Sequence, residues 1–435
     1  GFKTCPAEAA LSQSSSERGF TCRNNSASHV STFSQQPRAF TLRHPPTYVS
    51  SRHGARHTDH YLYNQLIPYL GNKRKLLPLI ARAVEGLCES NSIECNGSAP
   101  VFADMFAGSG VVSRLAKWMG FRTLSNDWEP YAAEINRCFV AGDRLPAFRK
   151  LGGARAAFDE LNALDPVEGY FATYYAPRDD ARPDPDRERM FFTHSNAARL
   201  DAIRARIAQW ESDGAISRRE RSVLLAALVY SVSYVSNTSG VFKGFHYGWG
   251  GAGRIALYRI LSDLELRPPV LHDSGVRGHR VYRQDANRLA RRIGPVDVAY
   301  LDPPYNQHPY GSNYHLLNTV VLDDRPPLER SIVVGGKITN KSAIRTDWRQ
   351  SRRSKYCVRT EALGALEDLV TSLDARHILV SYSRDGFIGF EEMARMLSGY
   401  GEVTAYHQKY KRYRGSPTRP SPRGHTRETV FVVKR

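Results

Sequence analysis

Short apolar runs separated by segments of helical period give the first outline of this chain. Val101-Phe102-Ala103-Asp104 is an apolar run closed by an acid and a glycine-bearing turn. Val111 to Met119 then repeats apolar residues at helical spacing, and Thr123-Leu124-Ser125-Asn126-Asp127 is extended again. A β-turn-α-β order of this kind predicts the first unit of a doubly wound, mostly parallel α/β sheet. Upstream, regular pattern starts at Tyr61, where Leu66-Ile67-Pro68-Tyr69-Leu70-Gly71-Asn72-Lys73 runs into a helical Lys75 to Leu87. From Tyr131 to Arg280 the alternation lapses, and helices are predicted at Arg187 to Trp210 and Arg218 to Val235. Strand pattern resumes at Val296 to Leu301, His377 to Ser381 and Thr429 to Val433, with a helix over Glu361 to Ser372. One α/β core, residues 61–130 and 281–435, is therefore expected, split by a largely helical insertion at 131–280. No internal repeat is evident.

Composition narrows the class. With 41% hydrophobic and 24% charged residues the chain reads as a soluble globular protein, and it has no apolar run long enough to span a bilayer. A formal charge of +18 favours a polyanionic partner. Cys5, Cys22, Cys88, Cys95, Cys138 and Cys357 form no C-x-x-C pair and no zinc spacing, so no metal site and reduced thiols in a cytoplasmic protein are expected. Residues 1–60, rich in Ser, Arg and His, read as a disordered or non-native tail.

Two segments carry candidate chemistry. In Asp104-Met105-Phe106-Ala107-Gly108-Ser109-Gly110 the glycines let backbone pass close to a ligand at the carboxyl edge of the sheet, but the third glycine of the dinucleotide fingerprint is missing. Asp127, one strand later, is placed to accept from ribose hydroxyls; a helix N-cap is its structural alternative. Asp302-Pro303-Pro304-Tyr305 follows the apolar Val296 to Leu301. The prolines fix the backbone, so that a carbonyl and the carboxylate can both accept from a planar amino group, while Tyr305 offers a face for a base swung out of its stack. The residues alone point to a nucleoside-cofactor enzyme with a polyanionic substrate.

Together, Tyr69 to Lys73, Asp104 to Gly110, Asn126-Asp127 and Asp302 to Tyr305 resemble, in order, the motifs of Dam-type adenine-specific DNA methyltransferases of restriction-modification systems. The resemblance implies a Rossmann-like core using S-adenosylmethionine. Lys73 and the turn's Asp104, Phe106, Gly108 and Gly110 would hold the methionine part, Asp127 the ribose, and Asp285 would lie by the cofactor adenine; Tyr69 and Asn72 would also bind the cofactor. Asp302, Pro303, Pro304 and Tyr305 would be the catalytic loop. The insertion falls where the family keeps its target-recognition domain, double-stranded DNA is the implied substrate, and a restriction endonuclease the implied companion. Methylation of RNA or of another amino group, and an inactive DNA-binding protein, are the alternatives. For DNA contact the sequence offers Ser236 to Gly250, which mixes glycines with aromatics, and the basic stretches Lys337 to Lys355 and Lys409 to Arg414. His315 is expected to be structural, because methyl transfer from a sulfonium needs little base help.

Overall fold

In the computed structural model of the chain the described residues are 3–5, 57–89, 98–254, 256–411 and 425–435. Their strands are β1 (Lys3–Cys5), β2 (Val101–Asp104), β3 (Arg122–Asn126), β4 (Arg280–Tyr282), β5 (Val296–Leu301), β6 (Val333–Val334), β7 (Lys337–Ile338), β8 (Ala375–Ser383), β9 (Glu402–Lys411) and β10 (His425–Lys434). Eight form one sheet in the order β1-β9-β10-β8-β5-β2-β3-β4, and β6 pairs only with β7. The pairs β2–β3, β2–β5, β3–β4 and β5–β8 are parallel, whereas β10 runs antiparallel between β8 and β9. This is a doubly wound, Rossmann-like α/β fold with an antiparallel strand between β8 and β9.

Alternation along buried strands explains the layering. Phe102, Val298, Tyr300, Leu379 and Val430 face one core, while Ala103, Ala299, Leu301, Val380 and Phe431 face the other. Helices Leu77–Glu89 and Val111–Met119 cover the first face; Arg359–Ser372 and Phe390–Ser398 cover the second. The insertion's helices Arg218–Val235 and His194–Ser212 bury Leu224, Leu228, Leu200 and Ile203 in the same core as Phe102. Ser217 and Glu220 close a capping box at the start of the first, as the predicted boundary requires. The second starts later than its spacing suggests, because the Thr193 side chain caps it by accepting from Asn196 N.

Helix Pro130–Phe139 runs across the expected boundary at 131 and is buried against the insertion. Of the N-terminal tail, Lys3–Cys5 lies parallel to β9 at the sheet edge and helix His57–Tyr63 begins just before residue 61; residues 6–56 lie outside the described residues. No described helix is long and apolar enough to cross a membrane.

The strand order fixes where a ligand can lie. From β2 the chain moves one way to β3 and β4; β5 and β8 lie on the other side, so the switch point falls between β2 and β5. Ligands of open parallel sheets bind outside the carboxyl ends of the strands at this point. Asp104 pairs with Tyr300 there, and Met105 N donates to Tyr300 O at 3.0 Å.

Candidate active site

A cleft of about 1090 Å³ opens at the switch point, large for a single ligand by the usual range of about 300–1,000 Å³. Tyr69, Phe106, Asp127, Asp285, Asp302 and Pro304 line it. The other expected residues, Asn72, Lys73, Asp104, Gly108, Gly110, Pro303 and Tyr305, are not on its wall.

β5 ends at Leu301 and delivers Asp302 to the cleft. Lys73 Nζ lies 2.9 Å from Asp302 Oδ1 and 2.8 Å from Glu428 Oε1, with the lysine and Glu428 side chains almost fully buried. Burial pushes the Asp302 carboxyl up to about 6 despite the ammonium beside it, and Glu428 adds to the rise. For Lys73, burial alone would lower the pKa, but the two carboxylates outweigh it and hold the group well above the ordinary lysine range. The resulting triad carries a net negative charge with one ionised carboxylate edge facing the cleft.

Tyr305 stands edge-on to Tyr382 with ring centroids 5.9 Å apart, and Lys73 Nζ is 5.8 Å from its ring centre. Gly71 sits against it: a Cβ there would lie 3.3 Å from the hydroxyl oxygens of Tyr305 and Tyr310. Tyr69 stacks on Tyr310 and Tyr314 at 5.2 and 5.0 Å, which makes a rigid aromatic flank beside the loop.

The glycine turn is held by its neighbours. Gly108 has φ of 51°, and a Cβ there would come within 2.7 Å of the Tyr69 ring. Gly108 N donates to Asp127 Oδ2 at 2.7 Å and Glu129 N to Oδ1 at 2.8 Å. Asp127 thus ties the turn to β3 rather than capping the next helix, whose N-cap is Glu129. Each of its oxygens keeps a second lone pair for a ligand. Burial raises Asp127 to about 6 and Asp104 to about 7. Asp104 faces inward, where Oδ2 accepts from Ser113 Oγ at 2.6 Å. Asn72 caps a short turn by accepting from Arg74 N at 2.7 Å, and Asp285 caps helix Ala286–Ala290 by accepting from Arg288 N at 3.0 Å.

Sequence reasoning missed Glu428. Its signal is faint: an acid just before the apolar stretch of β10, buried to 4% exposure. It also missed Tyr356, whose ring meets Phe106 edge-on at 5.2 Å on the cleft wall. Of the basic stretch, Arg352, Arg353 and Lys355 line the cleft. Arg345, in contrast, is bound to Asp324 and Asp347, each at 2.6 Å, with its side chain 10% exposed, so it holds the fold together and offers no charge to phosphate. Ser236 to Gly250 is divided: Asn237 and Phe242 are buried, and Tyr247 is 55% exposed. His315 is buried with Nε2 2.8 Å from Phe242 O, and burial lowers its pKa to about 4, which leaves a neutral structural ring. In the second basic stretch, residues 412–414 lie outside the described residues.

An open sheet with a cleft of this size on its switch point, floored by a carboxylate before two prolines, is the architecture of a doubly wound protein that binds a ligand outside the carboxyl ends of its strands. Comparison with known proteins gives the particular branch. Residues 69–341 match the family described as D12 class N6 adenine-specific DNA methyltransferase, and the chain belongs to that family. It is similar to the type II methyltransferase M.NlaIII of Neisseria lactamica, 30% identical over 368 residues, 83% of this chain and 96% of the relative. M.CviAII of Paramecium bursaria Chlorella virus 1 is 29% identical over 80% of this chain and 93% of its own length. The modification methylase StsI of Streptococcus sanguinis is 28% identical over 84% of this chain, which spans about half (52%) of that relative's length. A methyltransferase of this family and fold uses S-adenosylmethionine.

Proposed function

We propose that this chain transfers a methyl group from S-adenosylmethionine to the exocyclic amino group of adenine in duplex DNA, with Asp302 to Tyr305 as the catalytic loop. The observation that carries the reading is the Asp302 carboxylate, fixed by Lys73 at the floor of the cleft and followed by two prolines.

The donor set fits the cofactor: acceptors for hydroxyls at Asp127, a carboxylate at Asp285, ring walls at Phe106 and Tyr356, and a glycine turn with no room for a Cβ. Phe106, Tyr69 and the Gly108–Gly110 backbone would hold its methionine part, Asp127 its ribose and Asp285 with Tyr356 its adenine. Asn72, Lys73 and Asp104 would shape the cleft from behind. When bound, the cofactor supplies an electrophilic methyl to the amino nitrogen and leaves as the neutral thioether.

The protein's part is to position and to accept. Asp302 and the Pro303 carbonyl accept the two hydrogens of the adenine amino group, which turns its lone pair out of conjugation toward the incoming carbon. Tyr305 gives the extruded base a stacking face. The methylated nitrogen is a strong acid, so its surplus proton passes to an Asp302 oxygen, whose pKa of about 6 suffices, and on to water.

The relatives named as type II methyltransferases suggest a companion restriction endonuclease, and the insertion at 131–280 is the region assigned to target recognition. The test is incorporation of labelled methyl from S-adenosylmethionine into unmethylated duplex DNA, with nucleoside analysis. N6-methyladenine is the expected product; no incorporation into DNA alongside incorporation into structured RNA would refute the reading.

A further inference from the structure

Arg283 stands on the wall of two spaces, the active-site cleft and a separate pocket of about 400 Å³. The pocket lies between helix Pro130–Phe139, the start of helix Arg218–Val235 and the end of helix His315–Leu322. Four arginines, Arg137, Arg218, Arg221 and Arg283, line it against two acids, Glu134 and Glu211. Both acids are taken up by the floor. Glu134, its side chain 7% exposed, accepts from Arg137 Nη1 at 2.6 Å, Arg221 Nη1 at 3.1 Å and Ser222 Oγ at 2.5 Å. Arg221 also donates to Glu211 at 2.7 Å and to Val321 O at 3.4 Å, so its donors are spent.

Three guanidinium groups are left to face the pocket. Arg218 and Arg283 are exposed, and among the described residues their side chains make no ion pair or hydrogen bond. Arg137 uses Nη1 alone. Burial lowers the pKa of Arg137, Glu134 opposes the fall, and the charges of Arg218 and Arg283 add to it, so the three groups repel one another across the space. An anion would relieve that repulsion, and guanidinium forks match the oxygens of phosphate two at a time. Beside them Ile216 and Val321, both buried, form an apolar wall. A pocket of this size and lining suits a phosphate that carries an organic group better than a bare ion. The recessed position of Arg137, its side chain 20% exposed, favours a terminal phosphate, which can enter, over the backbone phosphate of a polymer.

We propose that this pocket is a second ligand site, which takes the terminal phosphate of a small phosphate ester on Arg137, Arg218 and Arg283 and its organic part on Ile216 and Val321. The site is independent of the methyl-transfer reading.

The test is calorimetry on the full chain with thymidine monophosphate, inorganic phosphate and thymidine as probes, on the parent and on the Arg218→Ser/Arg283→Ser variant. Both changes remove exposed, unpaired side chains, so the fold should persist, and thermal melting checks that it does. The parent should bind the monophosphate more tightly than phosphate and should not bind thymidine. The folded variant should bind the monophosphate at least about tenfold more weakly. Saturating S-adenosylmethionine should leave the monophosphate bound; displacement would put the probe in the cleft that shares Arg283 and overturn the site. No binding to the parent, thymidine or phosphate bound as tightly as the monophosphate, or an unweakened variant would overturn it as well. Duplex DNA that displaces the monophosphate would overturn the small ester in favour of the DNA backbone.

Discussion

Glu428 offers the sharpest test of how the site is charged. It contacts the same Lys73 nitrogen as Asp302, at 2.8 and 2.9 Å, so the two carboxylate oxygens are no more than about 6 Å apart. At an effective dielectric of about 20, two negative charges at that separation would repel by at most roughly 2.8 kcal/mol, before the Lys73 ammonium between them screens the repulsion. Burial is the larger cause of Asp302's rise to about 6 and Lys73 opposes it, so replacing Glu428 by Gln should relieve part of the rise. Ionised Asp302 is the stronger acceptor for the adenine amino group and, on the proposed mechanism, the form that takes its surplus proton. The parent's methyl-transfer rate should therefore fall as pH drops through about 6, and Glu428→Gln should move that limb to lower pH, because loss of the neighbouring negative charge favours the carboxylate. Single-turnover rates between pH 5 and 9 would show it, with cofactor affinity measured alongside. A limb that stays in place or moves upward refutes the coupling through Lys73 and reduces Glu428 to a packing residue.

Other perturbations bear on separate links. Asp302→Ala should lower the transfer rate by roughly a hundred- to a thousandfold or more while calorimetry finds cofactor affinity largely intact. Lys73→Met strands the buried Glu428 and Asp302 charges, and denaturant titration at pH 8 should find the fold weaker by about 3–5 kcal/mol. Gly108→Ala must place a Cβ against Tyr69 at positive φ; loss of about 1–3 kcal/mol of stability and weakened cofactor binding are expected.

What could be read without coordinates follows from range. β2 and β5 are buried on both faces, so their apolar runs announce them; β2 closes on Asp104, and Asp302 follows the last residue of β5. β9 escaped notice because its Val403 and Ala405 alternate with polar residues over Glu402–Lys411, and its partner β10 reads as apolar only from Thr429 on. The same blindness hid Glu428. Nothing local distinguishes it from a surface acid; only the pairing of β10 between β8 and β9 carries it under Lys73. Arg345 failed in the opposite sense. Its neighbours in sequence suggested a basic loop, and Asp324, on a distant segment, consumes its charge.

The carboxyl edge of this sheet gathers Asp104, Asp127 and Asp302, each raised by burial to about 7, 6 and 6. Acids kept so close in a low dielectric cost stability, and a fold retains them where something offsets the cost. Lys73 neutralises only one charge, and it reaches Asp302 and Glu428 rather than the other two. The remaining negative potential lies at the cleft, where, on the proposed reading, a cofactor bearing a sulfonium and an ammonium binds and departs as a thioether with one positive charge fewer. On that reading Asp127 and Asp302, which line the cleft, would favour the charged donor over its spent form.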